Sequence, residues 1–284
     1  MIGPNIDILA PDMYTDSTTM AWIMDTYSMQ KGRAVPSVVT GKPIEIGGSI
    51  GRTEAPGTGM RYILEHLCQK LNYDLKNMKI VIQGFGKVGS VVAKQLYDSS
   101  CKIIAVSEKE GGIFSQDGLN IDELINWKES GNLLIDYTGK NINQITNDEL
   151  LATKCDVLIP AAVENQIYSK NADKVDCKII LEGANSPTTS QADAILNEKG
   201  IIIIPDILAN SGGVCVSYFE YIQDIHSYFW DLNRVNREMK NIMIKAFEDV
   251  RTVSNKLNTS LRTAAYAIGA NRLAKAHEWR GLFP

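Results

Sequence analysis

The chain has 284 residues, 44% of them hydrophobic, which suffices for one sizeable α/β domain plus a smaller piece. A net charge of -4 and a pI near 5.5 with no basic stripe exclude a nucleic-acid-binding surface. No apolar run reaches the length of a membrane span and the N-terminus has no basic-then-apolar leader, so no membrane partner is expected and the expected address is cytoplasmic.

Met1 to Thr19 is a strand-poor approach rich in Pro, Asp and Thr, in which Ser17-Thr18-Thr19 can cap a helix from Met20 to about Gln30. Lys31 to Gly59 is dense in glycine and proline, the mark of a hinge, a linker or a backbone that must approach a ligand closely. From Met60 to Leu71 the apolar residues Ile63, Leu64, Leu67 and Leu71 recur at helical spacing.

Lys79-Ile80-Val81-Ile82-Gln83-Gly84-Phe85-Gly86-Lys87-Val88-Gly89 then reads as strand, turn and helix start, with glycines at the first, third and sixth positions of G-x-G-x-x-G. Each glycine has a task in dinucleotide binding. Gly84 permits the tight turn, Gly86 lets backbone N–H groups approach a pyrophosphate, and Gly89 allows close helix-to-strand packing. Taken alone, such a turn is also compatible with a purely steric role. Its context favours the nucleotide: a second strand, 102–106, is followed by Ser107-Glu108, an acidic residue roughly 20 positions after the glycines, where an NAD-type site binds the ribose hydroxyls.

Alternation continues through a loop with Gly111-Gly112 and Asp117-Gly118, helix 121–129, strand 157–159, helix-prone 163–173, strand 178–182, helix 189–198 and strand 201–204. This predicts a doubly wound, Rossmann-like, mainly parallel sheet with flanking helices and a C-terminal helical segment. Small or polar residues follow successive strands at Pro160-Ala161-Ala162, Glu182-Gly183-Ala184-Asn185 and Pro205-Asp206, where ligands bind in such sheets. After Ser211-Gly212-Gly213 the chain is helical, with amphipathic helices from about Arg234 to Leu257 and Leu261 to Glu278. The expected division is 1–50, an N-terminal piece plus hinge; 51–220, a nucleotide-binding domain; and 221–284, a helical segment. The five cysteines, Cys68, Cys101, Cys155, Cys177 and Cys215, lack C-x-x-C pairing, and the three histidines lie far apart, so reduced thiols and no metal site are expected.

The motifs Val39-Thr40-Gly41-Lys42-Pro43, Gly47-Gly48-Ser49-Ile50-Gly51-Arg52, Gly84 to Gly89, Pro160 to Ile167, Glu182 to Asn185, Pro205 to Asn210 and Ser211 to Glu220 occur in the order found in glutamate dehydrogenases, and the chain resembles that family along nearly its whole length. Its Glu-Asn-Gln and Ser-Tyr-Phe-Glu runs resemble the glutamate enzymes rather than the leucine, phenylalanine and valine dehydrogenases of the same superfamily. The resemblance implies NAD(P)-dependent, reversible oxidative deamination of L-glutamate to 2-oxoglutarate and ammonia, with hydride passing to nicotinamide through an imine. It implies that Asp12 is the catalytic aspartate and that Val214 and Ser217 belong to the substrate pocket. It also implies that Ala162, Asn185 and Asn210 line the nicotinamide ribose and carboxamide, beside the glycine-turn residues Gly84, Phe85, Gly86, Lys87, Val88 and Gly89. Read without the resemblance, Asp12 is a turn or helix-capping carboxylate, Ser217 an ordinary helix-facing serine and each asparagine a turn former. The Glu108 carboxylate repels a 2′-phosphate, so NAD is the expected cofactor, while the adjoining Lys109 leaves NADP open.

Departures from the family pattern are equally specific. No Gly-Gly-Gly-Lys-type run carries the catalytic lysine, and Lys42 reads as a solvated loop lysine. The chain is therefore expected to be a truncated or split dehydrogenase that alone binds NAD(H) and turns over glutamate negligibly. Pro56, where family members often carry a threonine, has neither hydroxyl nor N–H, which removes one contact to the nicotinamide amide. Family members are typically hexamers assembled mainly through the N-terminal domain. A second hypothesis stands beside the enzyme: a non-catalytic module that binds NAD(H) or a protein partner.

Overall fold

Ile80, Val81 and Ile82 are completely buried, and alternate side chains serve opposite faces of the sheet: Ile80 and Ile82 join one apolar core, Val81 the other. A strand covered on both faces has no polar side to show, which is why this run is apolar without alternation. The computed structural model describes residues 2–281. In chain order its helices are α1 (Ser17–Lys31), α2 (Ala55–Leu71), α3 (Gly89–Asp98), α4 (Ile121–Glu129), α5 (Asn147–Leu151), α6 (Ser190–Glu198), α7 (Asp206–Ala209), α8 (Gly212–His226), α9 (Leu232–Leu257) and α10 (Leu261–Arg280). The strands are β1 (Lys79–Gln83), β2 (Lys102–Glu108), β3 (Gly111–Phe114), β4 (Asn143–Ile145), β5 (Val157–Pro160), β6 (Ile179–Leu181) and β7 (Ile202–Ile204).

The sheet runs β4-β3-β2-β1-β5-β6-β7. From β2 to β7 neighbours are parallel, while β3 and β4 add an antiparallel edge. The expected doubly wound, mainly parallel architecture is therefore present. The order of connection reverses at the boundary between β1 and β5, since β1 continues to β2 on one side and the chain later returns to β5 on the other; in such sheets ligands bind at that point, beyond the carboxyl ends of the strands. One core lies between the sheet and the layer containing α2, α3, α4, α8, α9 and α10, and a second, smaller one faces α5 and α6.

Several local expectations need correcting. The segment Gly111-Gly112 is strand rather than loop: a Cβ on Gly112 would lie 2.5 Å from the Val106 carbonyl oxygen, so glycine is what lets β3 lie against β2. The stretch 163–173 is not an α-helix. Ile167 instead donates its N–H to the Pro187 oxygen and accepts from Thr189, which fastens the stretch to the loop after β6, and Asn165 has φ +57. Helix α2 begins at Ala55, five residues before Met60, with Pro56 in its first turn, where the missing N–H has no intrahelical role. Helix α1 is capped by Asp16, which accepts from the Thr19 N–H, rather than by Ser17 to Thr19. All five cysteines are free thiols: Cys68, Cys101 and Cys155 are buried, Cys177 and Cys215 partly so. No helix among the described residues is long and apolar enough to cross a membrane.

Candidate active site

The glycine turn between β1 and α3 lies at this switch point, beyond the carboxyl end of β1. Gly84 has φ +92, and a Cβ there would lie 2.7 Å from both Cα and N of Ala162, two residues past the end of β5. A Cβ on Gly89 would come within 1.8 Å of the Gly84 oxygen. Gly86 behaves differently: it is exposed, its φ is not positive, and a Cβ there would meet nothing within 4 Å. Two glycines thus hold the turn shut while the third leaves open space in front of the backbone. The N–H groups of Gly86, Lys87 and Val88 donate to no other described residue, and the start of α3 adds a partial positive charge. A pyrophosphate fits this cradle. Phe85 points into the core, whereas Lys87 is solvent-exposed. The Asp16 carboxyl sits below its ordinary value, first because of the Thr19 N–H and hydroxyl and in smallest part because of the Lys87 charge.

Glu108 closes β2 and forms an ion pair of 2.6 Å with Lys128, in the last turn of α4. Lys109 is the neighbour in sequence, but the partner in space is Lys128, because the last turn of α4 returns to the end of β2, which no local pattern shows. Across β1 from Glu108, the loops after β6 and β7 meet. The Asn210 amide donates to the Asn185 side-chain oxygen at 2.8 Å and to the Gly183 carbonyl at 3.3 Å. Asn185, Asn210 and Ala162 therefore line the same end of the sheet as the glycine turn.

Ser217 is buried on α8 and its hydroxyl accepts from Arg52 Nε at 2.7 Å. Val214, one turn earlier, is 68% exposed. Arg52, the last residue of the Gly-Gly-Ser-x-Gly-Arg motif, is the cation beside Ser217. No carboxylate among the described residues lies within ion-pair distance of it. Burial lowers its pKa, opposed by the Glu220 charge.

The segment that carries Arg52 is fixed by a buried charge cluster. Lys42 Nζ donates to Glu220 at 2.7 Å, to Asp224 at 2.8 Å and to the Val39 oxygen at 2.9 Å, with all three ionic side chains fully buried. The expectation of a solvated Lys42 is thereby overturned; its partners lie 178 and 182 residues further along the chain, out of reach of any local reading. Glu220 also accepts from the backbone N–H groups of Lys42 and Ser49. Asp224 Oδ1 has no partner among the described residues, and burial pushes the Asp224 carboxyl up to about 6 despite Lys42.

Asp12 is exposed and shapes its own turn: its Oδ1 accepts from the Met13 N–H at 2.7 Å, and its N–H donates to the Thr15 hydroxyl at 2.8 Å. Oδ2 is engaged by no other described residue. The turn is held against the 39–42 segment by Pro11, which packs on Gly41, and by the Thr40 N–H, which donates to the Leu9 oxygen. The structure thus brings together Gly84 with Ala162, Asn185 with Asn210, and Ser217 with Arg52. Asp12 makes no direct contact with any of them, and Glu108 occupies the opposite side of β1.

Comparison with known proteins places these features in a family. Residues 47–281 match the family described as Glutamate/Leucine/Phenylalanine/Valine dehydrogenase, and residues 1–29 match its dimerisation domain. A glutamate dehydrogenase of Thermotoga maritima is 45% identical over the whole chain, which covers 68% of that relative. An NADP-specific glutamate dehydrogenase of Synechocystis is also 45% identical, over 99% of this chain and 67% of its own length. Among solved structures, the hetero-hexameric glutamate dehydrogenase of Thermus thermophilus superimposes with a TM-score of 0.93 at 34% identity, matching all of this chain and 67% of that one. The chain thus spans about two thirds of the length of these relatives.

Proposed function

The chain belongs to the Glu/Leu/Phe/Val dehydrogenase family, and from that premise we propose that it carries the nucleotide-binding half of a glutamate dehydrogenase, which interconverts L-glutamate with 2-oxoglutarate and ammonia. The observation that carries the reading is the Arg52–Ser217 pair: a half-buried guanidinium without a carboxylate partner, placed on the same sheet end as a phosphate cradle. A dicarboxylic substrate supplies the missing counter-charge, with the Ser217 hydroxyl as a second donor to its distal carboxylate. Val214 borders the same pocket.

The free N–H groups of the glycine turn bind the two phosphates, and the Asn185–Asn210 pair orients the nicotinamide riboside beside Ala162. When bound, the nicotinamide supplies the hydride acceptor. Asp12 Oδ2 is the free oxygen that takes the proton from substrate amine or attacking water. Glu108 accepts from the ribose hydroxyls, which favours NAD, while Lys128 beside it softens the bias against a 2′-phosphate. For the 284 residues alone we propose nucleotide binding with negligible turnover: the Lys42 amine is occupied by Glu220 and Asp224, so it is not available to polarise the reacting carbon. That same observation favours, as the second reading, a binding module without catalysis. Assembly with further subunits is proposed to use α1, where Trp22 and Met29 are exposed within the stretch matching a dimerisation domain.

Titration calorimetry of the folded chain with NADH and NADPH tests the assignment. Heat from NADH, and less affinity for NADPH, is the expected result. A folded sample that binds neither nucleotide would abolish both readings.

A further inference from the structure

We propose that Arg262, on the C-terminal helix α10, is a positioning residue for the nicotinamide half of the site; this rests on the nucleotide reading given above. Its guanidinium is shared by three carboxylates: Nη2 lies 2.7 Å from Glu182, Nε 2.9 Å from Asp193 and Nη1 3.4 Å from Asp206. Glu182 is fully buried immediately after β6, Asp206 opens α7 after β7, and Asp193 is on α6. One cation thus joins a helix to the ends of two neighbouring strands.

From those carboxylates the chain of contacts leads to the asparagines. The second Glu182 oxygen accepts from the Asp206 N–H at 2.9 Å, which ties the two post-strand loops together. Asp206 Oδ2 accepts from the Ser186 N–H at 2.7 Å, fixing the residue next to Asn185. Asn210 then closes the assembly onto Asn185 and Gly183. The flat, forked guanidinium can serve three carboxylates at once, which an ammonium of one point charge does less well. Without the cation, three carboxylates face one another where water has little access, and the two loops separate.

The effect is confined to one half of the site. Arg262 makes no contact with the glycine turn or with Glu108, which bind the phosphates and the adenosine ribose in the proposed reading. NADH and ADP therefore divide the contributions, because ADP carries the adenosine and both phosphates but lacks the nicotinamide riboside. Fluorescence titration with NADH and calorimetric titration with ADP would be run on the parent chain, R262K and R262Q, with thermal melts on each.

R262K is expected to weaken NADH about tenfold and R262Q about a hundredfold, with ADP within about twofold of the parent in both. Partial recovery by lysine relative to glutamine is the mark of a charge that positions. Unchanged NADH affinity in R262K overturns the inference, and so does a parallel loss of NADH and ADP, since either shows that the guanidinium does not act on the nicotinamide side. Should R262Q not fold, R262K decides by the same criteria. A parent chain that binds neither ligand overturns the nucleotide reading itself, an outcome separate from any difference among variants.

Discussion

Replacing Gly86 by alanine separates binding from folding at the glycine turn. A Cβ at this position meets no atom within 4 Å, and φ is not in the left-handed region. The carbonyl of Gly86 still accepts from the Ser90 N–H and hydroxyl. The folded state therefore tolerates the methyl group, while the unfolded chain loses freedom, so G86A should be equal in stability or more stable by about 0.4–1 kcal/mol. The methyl group occupies the space through which phosphate oxygens reach the free N–H groups. Loss of one such charge-assisted hydrogen bond is worth about 1.5–3 kcal/mol, a rise in the NADH dissociation constant of about 10- to 100-fold. At Gly89 the signs invert. A Cβ there would sit 1.8 Å from the Gly84 oxygen, a backbone atom that no rotamer change can move, so G89A should lose at least about 3 kcal/mol of stability before binding is considered. Thermal melts and NADH titration on both variants make the comparison. A folded G86A that binds NADH as tightly as the parent would refute the cradle, and an undisturbed G89A would refute the packing argument.

Replacing Glu108 by serine removes both the ribose acceptor and the partner of Lys128, so the ratio of NADPH to NADH affinity should rise by about tenfold in parallel titrations; an unchanged ratio removes Glu108 from the ribose site. Asp224 gives a pH signature. Its folded carboxyl titrates at about 6 against an ordinary value of 3.8, so the folded chain holds a proton there that the unfolded chain has released. This contribution to stability is complete below about pH 4 and disappears as pH rises through 6, by up to about 3 kcal/mol. Lys42 pairs with the same carboxylate, and the Glu220 charge acts on it from the other side of that lysine. In D224N, denaturant melts at pH 4.5 and 6.5 should show a smaller fall in stability than the parent, and equal falls would reject the assignment.

How much of this was legible in the sequence depends on the range of the interactions. The strand-turn-helix from Lys79 to Asp98 and helix α4 are specified by neighbours a few residues apart, through apolar periodicity and glycine spacing, and both lie where expected. Helix α2 starts earlier than its apolar spacing predicts, where Gly57 and Gly59 look like loop residues. In the fold they are contact points, since a Cβ on Gly57 would meet the Val92 N–H at 2.8 Å and one on Gly59 the Met243 sulfur at 2.4 Å. The edge strand β4 has only three residues, too few to show a period. At the site, the glycines, Glu108, Asn185, Asn210 and Ser217 were identifiable one by one. Their partners Lys128 and Arg52 were not, because each pairing joins elements that only the tertiary fold brings together.

Glycine density has two opposite meanings in this chain, and the space around each residue tells them apart. In the segment from Gly41 to Gly51, a Cβ on Gly47 would lie 2.9 Å from Asp224 Oδ1 and one on Gly48 would lie 2.0 Å from the Lys42 oxygen. Here the absent side chains let the backbone wrap a buried cation and its two carboxylates, and that wrapping carries Arg52 to Ser217. Moving this segment away from α8 would separate Lys42 from its buried counter-charges. Gly86 has no such neighbour. Where a Cβ would collide, glycine serves the fold; where it would enter empty space beside unpaired N–H groups, glycine serves a ligand, and in this molecule the second condition is met in front of α3.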